Sequence, residues 1–229
     1  NITSVFSEDI FNMLSHFMGT NPIVQFILQP ILIAGVLFHF IMGFYLEIQN
    51  RKAAKYEYQK EKGSANSTWM SRNMITSGLV ILVFLVLHFI DFWVPEMNHK
   101  YIEFLPEDPN RYFKHLVHKF ENPLRVAMYC LAFVLLALHL LHGFTSSLRS
   151  MGTNKRYVAS AKTAGIIYSI GIPLGFCIIA IFHYLNQYLN LNLMILKNLH
   201  IQYPHLNLYL LIHSISKFHH YFLLLKYHC

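Results

Sequence analysis

Four runs of apolar residues, Ile23–Leu46, Met74–Val94, Val126–Phe144 and Ala164–Leu185, decide what this chain can become. Each is close to the roughly 20 residues that an α-helix needs to cross the hydrocarbon layer of a bilayer. Lipid offers no hydrogen-bond partner to an open backbone, so such runs cross as helices. Four buried helices of a soluble protein would instead carry amphipathic faces, which these runs lack. Composition agrees: 13% of the 229 residues are charged, against about 25% in soluble domains, and the mean hydropathy is +0.38. The expected fold class is all-α, a transmembrane helix bundle with four spanning helices, here segments A to D. None of the four has the basic flank and small-residue cleavage site of a secretory signal.

Cys130 and Cys177 lie inside segments C and D, and Cys229 is the last residue. There is no CxxC or CxxCH, which argues against a zinc ribbon and against covalent attachment of a c-type haem. The formal charge of +7 does not point to nucleic acid, because the basic residues cluster beside the apolar segments. No Lys or Arg precedes Arg51, the A–B loop is strongly basic, and the C–D loop "SLRSMGTNKRYVASAKT" has no acid. The B–C loop mixes its basic residues with Glu96, Glu103, Glu107, Asp108 and Glu121. The positive-inside rule therefore places the A–B and C–D loops in the cytoplasm and the B–C loop outside.

That orientation puts the opening segment, "NITSVFSEDIFNMLSHFMGTNP", outside, and the expectation is that an in-to-out helix precedes it. At the other end, residues 188–229 are rich in Leu, His, Tyr, Asn and Lys, with no Gly and no acid. This tail fits two readings, AT-rich DNA read out of frame or an amphipathic helix at the interface.

An ionisable side chain within a bilayer is costly and calls for a partner. Segment A writes "FHFIMGF" and segment C writes "LHLLHGF", so His39 and His139 each precede a glycine, Gly43 and Gly143, by four residues. At about 1.5 Å per residue, His39 lies about 18 Å from Arg51 and His139 about 15 Å from Arg149, whereas His88 lies about 24 Å from Arg72. His39 and His139 thus share a level on the cytoplasmic side, and His88 sits nearer the outside. Two imidazoles at one depth on antiparallel helices can grip one iron from opposite faces, which is how haem uses axial protein ligands. Gly43 and Gly143, on the same helical faces as the histidines, would leave room for a flat macrocycle; they equally serve plain helix packing. At the depth of His88 the only other histidine is His183. His142 is placed to bond a haem propionate or a neighbouring helix, and His99, His115, His118 and the tail histidines read as solvated loop residues.

At these residues the chain resembles the di-haem cytochrome b membrane subunit of menaquinone-linked bacterial succinate dehydrogenase and fumarate reductase. The stretches that carry the resemblance are "SHFMGTNP", "HFIMGFYLEIQNRKA", "LHFIDFW" and "NPLRVAMYCLAFVLLALHLLHGFTSSLRSMG", and it runs from Asn1 to about Gln187. It implies five helices and two b haems, in a bacterial cytoplasmic membrane. The proximal haem would be held by the residues matching His39 and His139, and His88 matches one ligand of the distal haem. The family's first helix, with the other distal ligand, has no counterpart here, so one haem is expected in this chain. Residues 1–187 are then a haem-binding transmembrane bundle, and 188–229 match nothing in the family.

The resemblance further implies a place in the respiratory chain and the tricarboxylic acid cycle. A flavoprotein subunit would carry out the dicarboxylate chemistry, and an iron–sulfur subunit would pass electrons through haem to menaquinone. The chain itself offers no carboxylate pair or nucleophile–base arrangement for such chemistry. His16, in "SHFMG", is a candidate quinone-site residue, although a plain loop histidine is the competing reading. Two rivals stand beside this function. One is the b-type cytochrome subunit of a hydrogenase or formate dehydrogenase; the other is a histidine-lined transporter, which would favour broken helices or paired intramembrane acids.

Overall fold

A computed structural model describes residues 1–57, 73–151 and 155–202, together with 212, 213, 215–217, 219 and 220. Much of the basic A–B loop, part of the C–D loop and most of the tail beyond 202, Cys229 included, lie outside the described residues.

Among the described residues every regular element is helical. In chain order they are α1 (Thr3–Phe6), α2 (Glu8–Thr20), α3 (Gln29–Glu57), α4 (Met74–His88), α5 (Val94–Met97), α6 (Arg111–Lys119), α7 (Pro123–Ser150) and α8 (Lys155–Gln202). π-Helical turns at Val24–Leu28, Phe89–Trp93 and Asn98–Ile102 lead into α3 and extend α4 and α5. Four stretches are long and apolar enough to cross a membrane: Val24–Ala53, Met74–Ile102, Pro123–Leu148 and Val158–Leu199. The chain is thus all-α, with the character of a multi-pass membrane protein, as the four apolar runs predict.

Each span is longer than its apolar run, and for local reasons. Segment B does not end at Val94, because Glu96 Oε1 and Lys100 Nζ meet at 2.6 Å, one helical turn apart and about 15% exposed. The two charges neutralise each other, and Lys100 also donates to the carbonyl of Gly19. Pro95 lies inside the span, directly after the π-helical turn at Phe89–Trp93. The chain leaves the span at Phe104, which takes a left-handed φ of 49°. Segment C starts earlier than its apolar run because Asn122 caps it, its Oδ1 accepting from the N–H groups of Leu124 (2.9 Å) and Arg125 (3.2 Å). At the far end Thr145, Ser147 and Ser150 return their hydroxyls to carbonyls of the preceding turn, so α7 tolerates polar residues beyond Phe144. Segment D runs on as one helix to Gln202.

The contacts divide the residues into two compact units. The first comprises Asn1–His16, Glu107–Cys130 and Gly175–Cys229. Its core is built by Val5, Phe11, Leu116, Phe120, Tyr129, Ala180 and Phe182, all buried. Polar side chains pin its pieces together. Asn12 Oδ1 accepts from the Phe113 N–H at 2.8 Å, Gln187 Nε2 donates to the Val117 carbonyl at 2.6 Å, and His183 Nε2 meets Ser4 Oγ at 3.0 Å. His115 and His118, read from sequence as loop residues, lie on α6.

The second unit comprises Phe17–Pro106 and Leu131–Leu174. Here α3 packs against α4, and Phe84 sets its ring edge-on against Phe133 at 5.3 Å. Gly165 is buried, and a Cβ there would fall on the ring of Phe144. Asn21 caps the first span by accepting from the N–H groups of Ile23 and Val24, and Tyr101 donates to Gln25 Oε1 at 3.0 Å.

Candidate functional site

Within the second unit, the rings of His39 on α3 and His139 on α7 have centroids 6.2 Å apart, with their planes at 84°. These are the two histidines that the rise per residue places at one depth. Two imidazoles bonded to opposite sides of one metal at about 2 Å each leave their ring centres about 6 Å apart. The pair is close enough for both imidazoles to reach one metal, at a separation that an edge-to-face ring pair such as Phe11–Phe113 (6.2 Å) shares. His39 is exposed on the surface of the chain, while His139 is half-buried. An imidazole on the lipid-facing side of a membrane helix is costly unless another group covers it.

The surroundings of His139 are more fully built. Its Nδ1 lies 3.1 Å from Ser77 Oγ on α4, and its Cε1 would touch a Cβ placed on Gly78 at 3.5 Å. A cavity of about 150 Å³ opens beside it, lined by Asn73, Met74, Thr76, Ser77, Val80, Leu135, Leu138 and His139. The glycines play unequal parts. Around Gly43 nothing lies within 4 Å of a Cβ position, so the face below His39 is open. At Gly143 the methyl of Met74 fills that place at 3.5 Å, which is helix packing. His142, also half-buried, lies one turn beyond His139.

The other sequence candidates have surroundings of their own. His88 lies between the rings of Phe84 (6.1 Å) and Phe92 (5.2 Å), and Asp91, three residues on, is 1% exposed. His183, the one histidine at a matching depth, belongs to the first unit and engages Ser4. His16 is in the first unit too, with its Nε2 3.9 Å from Glu107 and its ring 6.3 Å from Tyr112, over which Arg111 stacks. Among the described residues no group of three or more His, Cys, Asp or Glu could cage a metal ion.

Ser77 and Gly78 escaped the sequence reading. The same rise-per-residue ruler sets Ser77 only about 8 Å from Arg72, short of the level of His139. The adjacent small residues in an apolar span were the available signal, since such pairs let helices approach closely. Comparison with protein-family models, curated proteins and solved structures finds no match to this chain.

Proposed function

We propose that this chain is the membrane-anchor cytochrome b subunit of a bacterial succinate:menaquinone oxidoreductase, with a b haem held between His39 and His139. The observation that carries the reading is the 6.2 Å separation of those two rings. Two further features support it: the membrane-length helices and the sequence resemblance.

Bound there, haem supplies reversible one-electron storage within the apolar layer. The chain's own contribution is to bring the two imidazoles together, with apolar neighbours such as Leu135 and Leu138 beside His139. In this reading the A–B and C–D loops face the cytoplasm, where the flavoprotein and iron–sulfur subunits dock, and the membrane is the bacterial cytoplasmic membrane. Menaquinone is the partner within the bilayer, with His16 as a candidate contact. His88 matches a ligand of the family's second haem, and one haem is expected in this chain.

The test is a reduced-minus-oxidised absorption spectrum of the purified chain. A b-type band is expected in the parent protein, and its loss in both His39→Ala and His139→Ala. A parent protein that takes up no haem refutes the reading. The partner half is tested separately, by co-purification of flavoprotein and iron–sulfur subunits and reduction of the band by succinate.

One observation favours a second reading, a histidine-lined transporter. Asp91 is an acid buried within a span, one helical turn from His88, and such groups mark proton or ion paths. Proton-coupled uptake into vesicles without a b-type band would select that class.

A further inference from the structure

Ser77 Oγ has two polar neighbours, the Met74 carbonyl at 3.0 Å and His139 Nδ1 at 3.1 Å. A serine hydroxyl carries a single proton but two lone pairs. Against Met74 it has no choice: a carbonyl oxygen only accepts, so Oγ–H must be the donor. Towards His139 Oγ is then left with lone pairs alone. The 3.1 Å contact is attractive only when Nδ1 carries a proton and donates it to Oγ. In the opposite tautomer one of the two contacts would set lone pair against lone pair at hydrogen-bond distance. We infer that Ser77 locks His139 as the Nδ1–H tautomer and so presents the bare Nε2 lone pair to a metal. Ser77 is thus a positioning residue, acting through His139.

The placement has a physical logic. A neutral imidazole can ligate through either nitrogen, and the hydrogen bond made by one nitrogen decides which is available. A hydroxyl accepting from Nδ1–H also makes Nε2 a stronger donor to the metal, and loss of such a partner commonly weakens metal affinity by about 10–100-fold. Ser77 and His139 are both half-buried. Gly78, next along α4, has no side chain to hold α4 away from the imidazole.

This inference rests on the haem reading for its purpose, but its first test does not need haem. The chain, labelled with ¹⁵N-histidine and reconstituted without haem in lipid bilayers, is studied by solid-state NMR, with His139 assigned by comparison with His139→Gln. The Nδ1–H tautomer is expected in the parent protein, a mixture or the Nε2–H tautomer in Ser77→Ala, and recovery in Ser77→Thr, which restores the hydroxyl. An Nε2–H tautomer in the parent protein, or the same tautomer in Ser77→Ala, overturns the inference. The second test titrates haem into the parent and variants. Ser77→Ala is expected to bind at least tenfold more weakly, with a midpoint potential shifted positive because Nε2 donates less to ferric iron; Ser77→Thr is expected to return both. If haem binds the parent and depends on His139, yet Ser77→Ala changes neither affinity nor potential, Ser77 does not act on the ligand. If the parent binds no haem at all, the cofactor reading fails, and the NMR result still decides the tautomer.

Discussion

His183 Nε2 lies 3.0 Å from Ser4 Oγ, and the two side chains are 2% and 0% exposed. The rings of Phe113 and Phe182 close around the imidazole at 5.5 Å and 5.4 Å, so the contact sits in an aromatic box within the first unit. It ties the first helical turn of the chain to the middle of α8. His183 is thereby a structural histidine, and the first prediction follows from it. In His183→Ala the Ser4 hydroxyl loses its partner, a loss of about 1–3 kcal/mol for a buried polar group, and a cavity adds to that. The melting temperature in detergent, followed by far-UV circular dichroism, should fall, while any b-type band per folded protein stays the same. An unchanged melting temperature would remove the structural role.

The second prediction concerns the histidine pair. Replacing either His39 or His139 should abolish the b-type band, because one imidazole cannot hold a six-coordinate haem from both faces. His88→Ala should leave the His39–His139 band in place, since His88 is not one of that pair. A band that survives both His39→Ala and His139→Ala, or vanishes only with His88, would refute the assignment.

Three glycines should answer differently to the same substitution. Gly43→Ala meets nothing within 4 Å and should favour the helix by about 1 kcal/mol with haem content kept. Gly43→Leu should lower haem occupancy while the protein still inserts, if the open face serves a macrocycle. Gly165→Ala places a methyl on the ring of Phe144, and overpacking of this kind costs about 1–3 kcal/mol. Gly143→Ala meets only the flexible end of Met74 at 3.5 Å and should be close to neutral. Haem-to-protein ratio and melting temperature, measured together, separate these outcomes; equal effects at Gly43 and Gly165 would contradict them.

At the cytoplasmic end proposed for α3, Arg51 Nε bonds Glu47 Oε1 at 2.7 Å and Gln49 Nε2 donates to Tyr45 at 2.6 Å. The ion pair is exposed, and such pairs on a helix contribute about 0.3–0.5 kcal/mol. Arg51→Glu should therefore barely move stability or spectrum. If this end docks the iron–sulfur subunit, the same substitution should weaken co-purification of that subunit, more so at low salt, where screening is least. Unchanged complex yield would place the docking face elsewhere.

The number and order of the membrane helices were legible in the sequence, because spanning is a local property of twenty or so consecutive side chains. That His39 and His139 come near each other was legible too, from their matched helical rise, although the same ruler set Ser77 short of His139. The ends of the helices were not: Glu96 and Lys100 read as loop charges until their pairing is known, and Asn122 reads as loop until its bonds to Leu124 and Arg125 are seen. Nor could the sequence assign the partners of the histidines. His139 meets Ser77 across 62 residues and His183 meets Ser4 across 179. Such pairings depend on how each helix is rotated about its own axis and how far it slides past its neighbour. Those two variables leave hydrophobicity and spacing unchanged, so only the packed structure fixes them.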